Sequence, residues 1–255
     1  MSYFHVNFMS RVMRMSTNVL VALPDFDPLE TLSPEFPVLY LLHGFSHDCF
    51  GWAHNTSVIR YACERNMAVV MPSAYNSAYT DMHFGQKYFL HIAEELPEFV
   101  RAVLPVSSQR EKTFVCGNSM GGYGALKCAL TYPERYGAAI SLSGSLHAED
   151  RILGRSANSG NQCEGIYGAP PRVDENTQDL FYMLRKRKDE GCLLPHISLY
   201  CARDDKEYLY QSSVEFKALA DTLGVPATFA DGYGGHTFAY WDPLLPQIMD
   251  WCLQS

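Results

Sequence analysis

The run TFVCGNSMGGYG at 113–124 sets one hydroxyl, Ser119, among four glycines at 117, 121, 122 and 124. A short apolar run of strand type ends on Gly117, and a helical pattern begins at 122, so Ser119 falls on the turn between them. A serine on so tight a turn sits at strained backbone angles with its hydroxyl projecting above the sheet. Residues two positions either side must be small or they collide, which is the mechanical reason for G-x-S-x-G. The following helix aims its positive N-terminal dipole where negative charge develops during nucleophilic attack. The pattern alone is weak, arising by chance in about one chain of this length in ten. The strand before and the helix after it carry the reading.

A hydroxyl nucleophile needs a base, and the base needs an orienting acid. Around this kind of turn they follow in the order serine, acid, histidine, on loops leaving the C-terminal ends of strands. The apolar run HISLYC, 196–201, leads into Ala202-Arg203-Asp204-Asp205. The run ATFA, 227–230, leads into Asp231-Gly232-Tyr233-Gly234-Gly235-His236. His236 is the candidate base. Asp204 and Asp205 compete for the acid, with the other one turned elsewhere, as in a cap on the next helix.

The tetrahedral oxyanion needs two backbone N–H donors. One is expected from Met120, directly after the nucleophile. The other is expected from Phe45 in His43-Gly44-Phe45, because Gly44 lets the backbone turn inward. Each such donor contributes about 3–4 kcal/mol to the transition state. His43 and His47 stand four apart with His54 nearby, which raises a metal site. Gly44 and Ser46 argue against a helix that would align the pair, and no H-E-x-x-H occurs. We expect no catalytic metal, with His43 packed beneath the oxyanion loop.

These candidates must be positioned by alternating strands and helices. Strands are expected at 17–23, 37–42, 67–71, 112–116, 138–142, 196–201 and 227–230. Helices are expected at 57–66, 89–104, 122–131, 211–224 and 240–253, the second kinked or started by Pro97 and the fourth ended by a glycine. The alternation implies an α/β fold with a mostly parallel sheet covered by helices on both faces. N-terminal strands without helices between them suggest an antiparallel edge. The whole chain, 1–255, reads as one domain; its stretch 145–191 loses periodicity and reads as a cap-like excursion with short helices.

Composition narrows the partners. A length of 255 residues with 47% hydrophobic and 19% charged content suits an ordinary soluble domain. The net charge of −8, with no long basic block, argues against nucleic acid and anionic membranes. Arg11 and Arg14 interrupt the apolar residues of the N-terminus, so it does not read as a secretory signal, and no apolar run is long enough to span a membrane. The eight cysteines form no C-x-x-C pair, and several lie within apolar runs. A reducing cytoplasm is the simplest setting.

The segments LYLLHGFSHDCFGW (39–52), YTD (79–81), AEELP (93–97), REKTF (110–114) and GNSMGGYG (117–124) resemble the tributyrin-esterase branch of the esterase D-like α/β-hydrolases. S-formylglutathione hydrolases, feruloyl esterases and mycolyltransferases are more distant relatives. The resemblance implies a serine carboxylesterase that acts on short acyl chains of a small-molecule ester, without a cofactor. Carried over, Ser119 matches the nucleophile, His236 the base, and Phe45 and Met120 the oxyanion donors. Asp205 matches the acid, because relatives carry C-G-x-x-D where this chain reads Cys201-Ala202-Arg203-Asp204-Asp205. Trp52 matches a tryptophan that helps to wall the substrate site; with Phe45 it implies a shallow acyl pocket. A feruloyl (cinnamoyl) esterase, an S-formylglutathione-type thioesterase and an acyltransferase with the same triad remain alternatives. The fold commonly self-associates, which leaves a homo-oligomer open.

Overall fold

The computed structural model describes residues 2–25, 35–153 and 161–254. Its strands are β1 (Ser2–Ser10), β2 (Met15–Leu23), β3 (Val38–Leu42), β4 (Ala68–Pro72), β5 (Thr113–Asn118), β6 (Ala138–Leu142), β7 (His196–Ala202) and β8 (Ala227–Gly232). They form one sheet in the order β1-β2-β4-β3-β5-β6-β7-β8. Pairings β1–β2 and β2–β4 are antiparallel and all others parallel. The mostly parallel sheet with an antiparallel N-terminal edge is therefore the fold the alternation implied. The central strands β3 to β6 are buried at every position, which is why they read as unbroken apolar runs.

The edge differs in detail. The expected strand at 17–23 is the second strand; β1 lies outside it and pairs along its full length, from Ser2 opposite Leu23 to Ser10 opposite Met15. β3 lies well inside the sheet, with its two neighbours parallel to it.

Helices α1 (Val58–Glu64), α2 (Leu96–Val103), α3 (Met120–Thr131), α4 (Leu180–Asp189), α5 (Glu207–Thr222) and α6 (Leu245–Cys252) cover the sheet. Residues of α2, α3, α4 and α5 pack with Val38, Tyr40 and Leu42 on one face. Residues of α1 and α6 pack with Leu39 and Leu41 on the other, as the period of two in a strand requires. The expected helix over 89–104 contains a π turn at His91–Glu95 that precedes Pro97. Pro97 has no N–H to offer the Ala93 carbonyl, and Arg135 Nη1 donates to that oxygen at 2.8 Å instead. The expected helix over 240–253 is divided into Phe238–Trp241, a 3₁₀ turn and α6, with Pro243 and Pro246 at the breaks. α5 begins four residues earlier than expected and ends before Gly224, whose φ is +63°. Within the 145–191 excursion lie short helices at Glu149–Ile152, Asn161–Tyr167 and Glu175–Gln178, followed by α4; residues 154–160 of it lie outside the described residues.

Candidate active site

Ser119 stands between β5 and α3 at φ +54° and ψ −117°, a conformation that a side chain tolerates only when its surroundings impose it. Its amide donates to Leu142 O at 2.8 Å, tying the turn to β6. The flanking glycines are required by space. A Cβ on Gly117 would lie 2.4 Å from Gly121 O, and one on Gly121 would lie 2.3 Å from Leu42 O. Both obstacles are backbone, which cannot swing aside.

His236 Nε2 lies 2.9 Å from Ser119 Oγ. On the other side of the ring, Nδ1 lies 3.0 Å from the Asp205 carboxylate, whose side chain is fully buried. With Nδ1–H donating to the carboxylate, Nε2 is left to accept the serine proton. Burial alone would raise the Asp205 carboxyl pKa. His236, the Ser143 hydroxyl and the Lys206 amide (2.7 Å from Oδ1) together outweigh burial and hold it below the ordinary carboxylate value.

Asp204 is placed differently from the helix cap expected of the spare aspartate. α5 has Lys206 at its N-cap position with no side-chain cap. Asp204 Oδ1 instead accepts the amides of Gly234 at 2.9 Å and Gly235 at 3.0 Å, and these two bonds lower its carboxyl pKa. It fastens the loop that carries His236.

Sequence reasoning missed two supporting residues. Ser143, buried and at φ +49°, bonds to the Asp205 carboxylate and accepts Trp241 Nε1–H at 3.1 Å. The Trp241 ring meets the His236 ring edge-on at 5.0 Å. The available signal was position: Ser143 directly follows β6, the neighbour of the serine's own strand.

The loop after β3 runs beside the serine, since a Cβ on Gly44 would lie 3.4 Å from Ser119 Cβ. His43 is 1% exposed and uses both ring nitrogens. Nδ1–H donates to Gly44 O at 2.7 Å, and Nε2 accepts the Ala74 amide at 2.9 Å. Burial lowers its pKa to about 4, so it is neutral near pH 7. Its bond fixes the Gly44–Phe45 peptide, and in a trans peptide the Phe45 N–H points opposite to the held carbonyl. Among the described residues that N–H has no acceptor. Met120 N–H is the first amide of α3, one of those a helix leaves without an internal partner. Among the described residues no three His, Cys, Asp or Glu side chains gather as metal ligands.

Trp52 departs from the expectation of a substrate wall. It is 1% exposed, donates Nε1–H to Leu42 O at 3.0 Å and packs edge-on against Phe238. A ring sealed this way braces the loop from beneath and offers no face to substrate. Of the two side chains expected to make the acyl pocket shallow, Phe45 and Trp52, the buried Trp52 does not serve.

The sheet order, the strained serine between β5 and α3 and the histidine after the last strand define the class of the fold, an α/β hydrolase. The chain belongs to the family described as putative esterase, whose profile matches residues 10–252. It is 30% identical to an acetyl esterase of Caldicellulosiruptor saccharolyticus, over 98% of both chains. Among solved structures it is similar to substrate-bound FphF, a fluorophosphonate-binding serine hydrolase of Staphylococcus aureus, with a TM-score of 0.92, 32% identity and coverage of 100% and 99% of the two chains. The S-formylglutathione hydrolase FrmB of the same organism gives a TM-score of 0.90 at 32% identity, covering 99% and 98%.

Proposed function

We propose that this protein is a serine carboxylesterase that hydrolyses short-chain acyl esters through an acyl-enzyme. The observation that carries the proposal is the continuous line from Ser119 Oγ to His236 Nε2 at 2.9 Å and from His236 Nδ1 to Asp205 at 3.0 Å. His236 takes the serine proton as Oγ attacks the ester carbonyl, and the N–H groups of Phe45 and Met120 hold the oxyanion. The imidazolium, stabilised by Asp205, gives that proton to the departing alcohol oxygen. Water then attacks the acyl-enzyme by the same route, and Ser119 is restored.

The short acyl chain is supported by two near-full-length relatives, described as an acetyl esterase and an S-formylglutathione hydrolase, with two- and one-carbon acyl groups. The narrower likeness to tributyrin esterases belongs to the same proposal. So does a reducing compartment, which suits eight cysteines none of which is paired in a disulfide. Among the described residues no helix is long and apolar enough to cross a membrane. The test is kcat/KM on p-nitrophenyl esters from C2 to C12, with methyl ferulate alongside. A maximum between acetyl and butyryl is expected. A rate still climbing at C8 contradicts the short-chain reading, because each buried methylene would then be adding about 0.8 kcal/mol.

A further inference from the structure

We infer that the segment 74–79 is a clamp that holds the Phe45 N–H in place for the oxyanion, with Tyr79 and Asn76 as its positioning residues; this rests on the esterase reading above. Gly124 gives the first indication. It lies beyond the serine turn, inside α3. A Cβ on it would lie 2.5 Å from Tyr79 Cγ, so the bare backbone there is what admits the ring of Tyr79, which is fully buried.

From that seat the Tyr79 hydroxyl donates to His43 O at 3.0 Å. Burial pushes the phenol pKa well above its ordinary value, so the hydroxyl keeps the proton it donates. At the other end of the segment, Ala74 N–H donates to His43 Nε2 at 2.9 Å, and that ring holds Gly44 O through Nδ1–H at 2.7 Å. Between the two ends, Asn76 Oδ1 accepts the Ser46 amide at 2.8 Å. The successive peptide units 43–44, 44–45 and 45–46 are therefore each held, and the Phe45 N–H belongs to the middle one. A peptide unit is planar, so fixing it together with both neighbours leaves its N–H little freedom of direction.

The clamp is itself fastened to the helix of the nucleophile. Lys127 of α3 is 1% exposed, and its Nζ donates to Tyr79 O at 3.0 Å and to Thr80 Oγ1 at 3.2 Å. The first amide of that helix, Met120 N–H, is the other proposed oxyanion donor. The segment therefore bears on both halves of the hole and helps to set the distance between them. Its backbone is strained throughout. Tyr75, Ala78 and Tyr79 hold φ values of +44°, +52° and +47°, a left-handed conformation that side chains keep only where the surroundings enforce it. A plain connector would carry glycine at such positions.

The oxyanion exists only in the tetrahedral state, and its donors act fully only when they are already in place. The experiment uses Tyr79→Phe, which keeps the ring over Gly124 and removes the hydroxyl. Asn76→Ala accompanies it, at a half-buried position where folding is less at risk. Titration with a fluorophosphonate counts the competent sites. On those sites, kcat/KM is measured with p-nitrophenyl acetate across pH, and Ki for an aryl trifluoromethyl ketone, whose adduct with a serine hydroxyl carries a tetrahedral oxyanion. Each variant should lose about tenfold in kcat/KM per titrated site, with the ketone weakened by a similar factor. The pH midpoint of kcat/KM, which reports His236, should stay where the wild type has it. Unchanged kcat/KM in either folded variant would overturn the clamp. So would a fall with ketone affinity unchanged, or one with the pH midpoint displaced. Absence of turnover in the wild type would instead overturn the esterase reading itself.

Discussion

Asp204 and Asp205, adjacent in the chain, grip the histidine loop at two separate points. Asp205 lies 3.0 Å from His236 Nδ1, while Asp204 Oδ1 accepts the amides of Gly234 and Gly235. One carboxylate orients the ring and the other holds the backbone that delivers it. Neither can replace the other, because successive side chains point in different directions.

Their substitutions should separate accordingly. Asp205→Asn offers an amide that can favour the wrong tautomer of His236, and kcat on p-nitrophenyl acetate should fall by about 10³–10⁴-fold. Asp204→Asn still offers an oxygen to the two glycine amides, and its loss should be about tenfold or less. Steady-state kinetics on both variants decide this; the reverse order would assign the acid to Asp204.

His43 should make the fold sensitive to acid. Its pKa is lowered to about 4 by burial, against 6.5 when exposed. Between those values the unfolded chain binds the proton that the folded chain refuses. The contribution is therefore complete above pH 6.5 and lost as pH falls towards 4, amounting to about 3 kcal/mol. Urea unfolding at pH 7 and pH 4.5 should show a smaller difference in His43→Gln than in the wild type. An identical difference in the two proteins would contradict it.

Gly117→Ala and Gly121→Ala should each destabilise the protein by at least about 2–3 kcal/mol, since each new methyl would press on backbone atoms less than 2.5 Å away. Thermal or urea denaturation measures this. A variant as stable as the wild type would mean that the turn opens more readily than its contacts imply.

Trp52→Phe should lower stability by about 1–3 kcal/mol, because the buried Leu42 carbonyl loses its Nε1–H donor. The order of preference among acyl chains from C2 to C12 should be unchanged, as the ring is enclosed by protein. A shift of the optimum toward longer chains would restore Trp52 as a pocket wall.

The contrast between Trp52 and Ser119 indicates what was legible in the sequence. Around Ser119 the message is local: strand, two obligatory glycines and helix within a dozen residues. The central strands were equally legible, because burial on both faces leaves them continuously apolar. β1 was not, since in this outermost strand, SYFHVNFMS, the alternation of Phe4, Val6 and Phe8 with His5 and Asn7 is short and is broken by the exposed Tyr3 and Met9. Trp52, Ser143 and Asp204 depend on contacts between distant parts of the chain. Trp52 meets Phe238, Ser143 meets Trp241, and Asp204 meets Gly234. Nothing in their immediate neighbours encodes those meetings.

The central claim is that Ser119 is acylated. The direct measurement is intact-protein mass spectrometry after treatment with a fluorophosphonate, with peptide mapping, alongside turnover of p-nitrophenyl acetate by wild type and Ser119→Ala. The account predicts one adduct, on Ser119, and a fall in kcat of about four to six orders of magnitude in a folded Ser119→Ala protein. Labelling at another residue, or full turnover by Ser119→Ala, would contradict it.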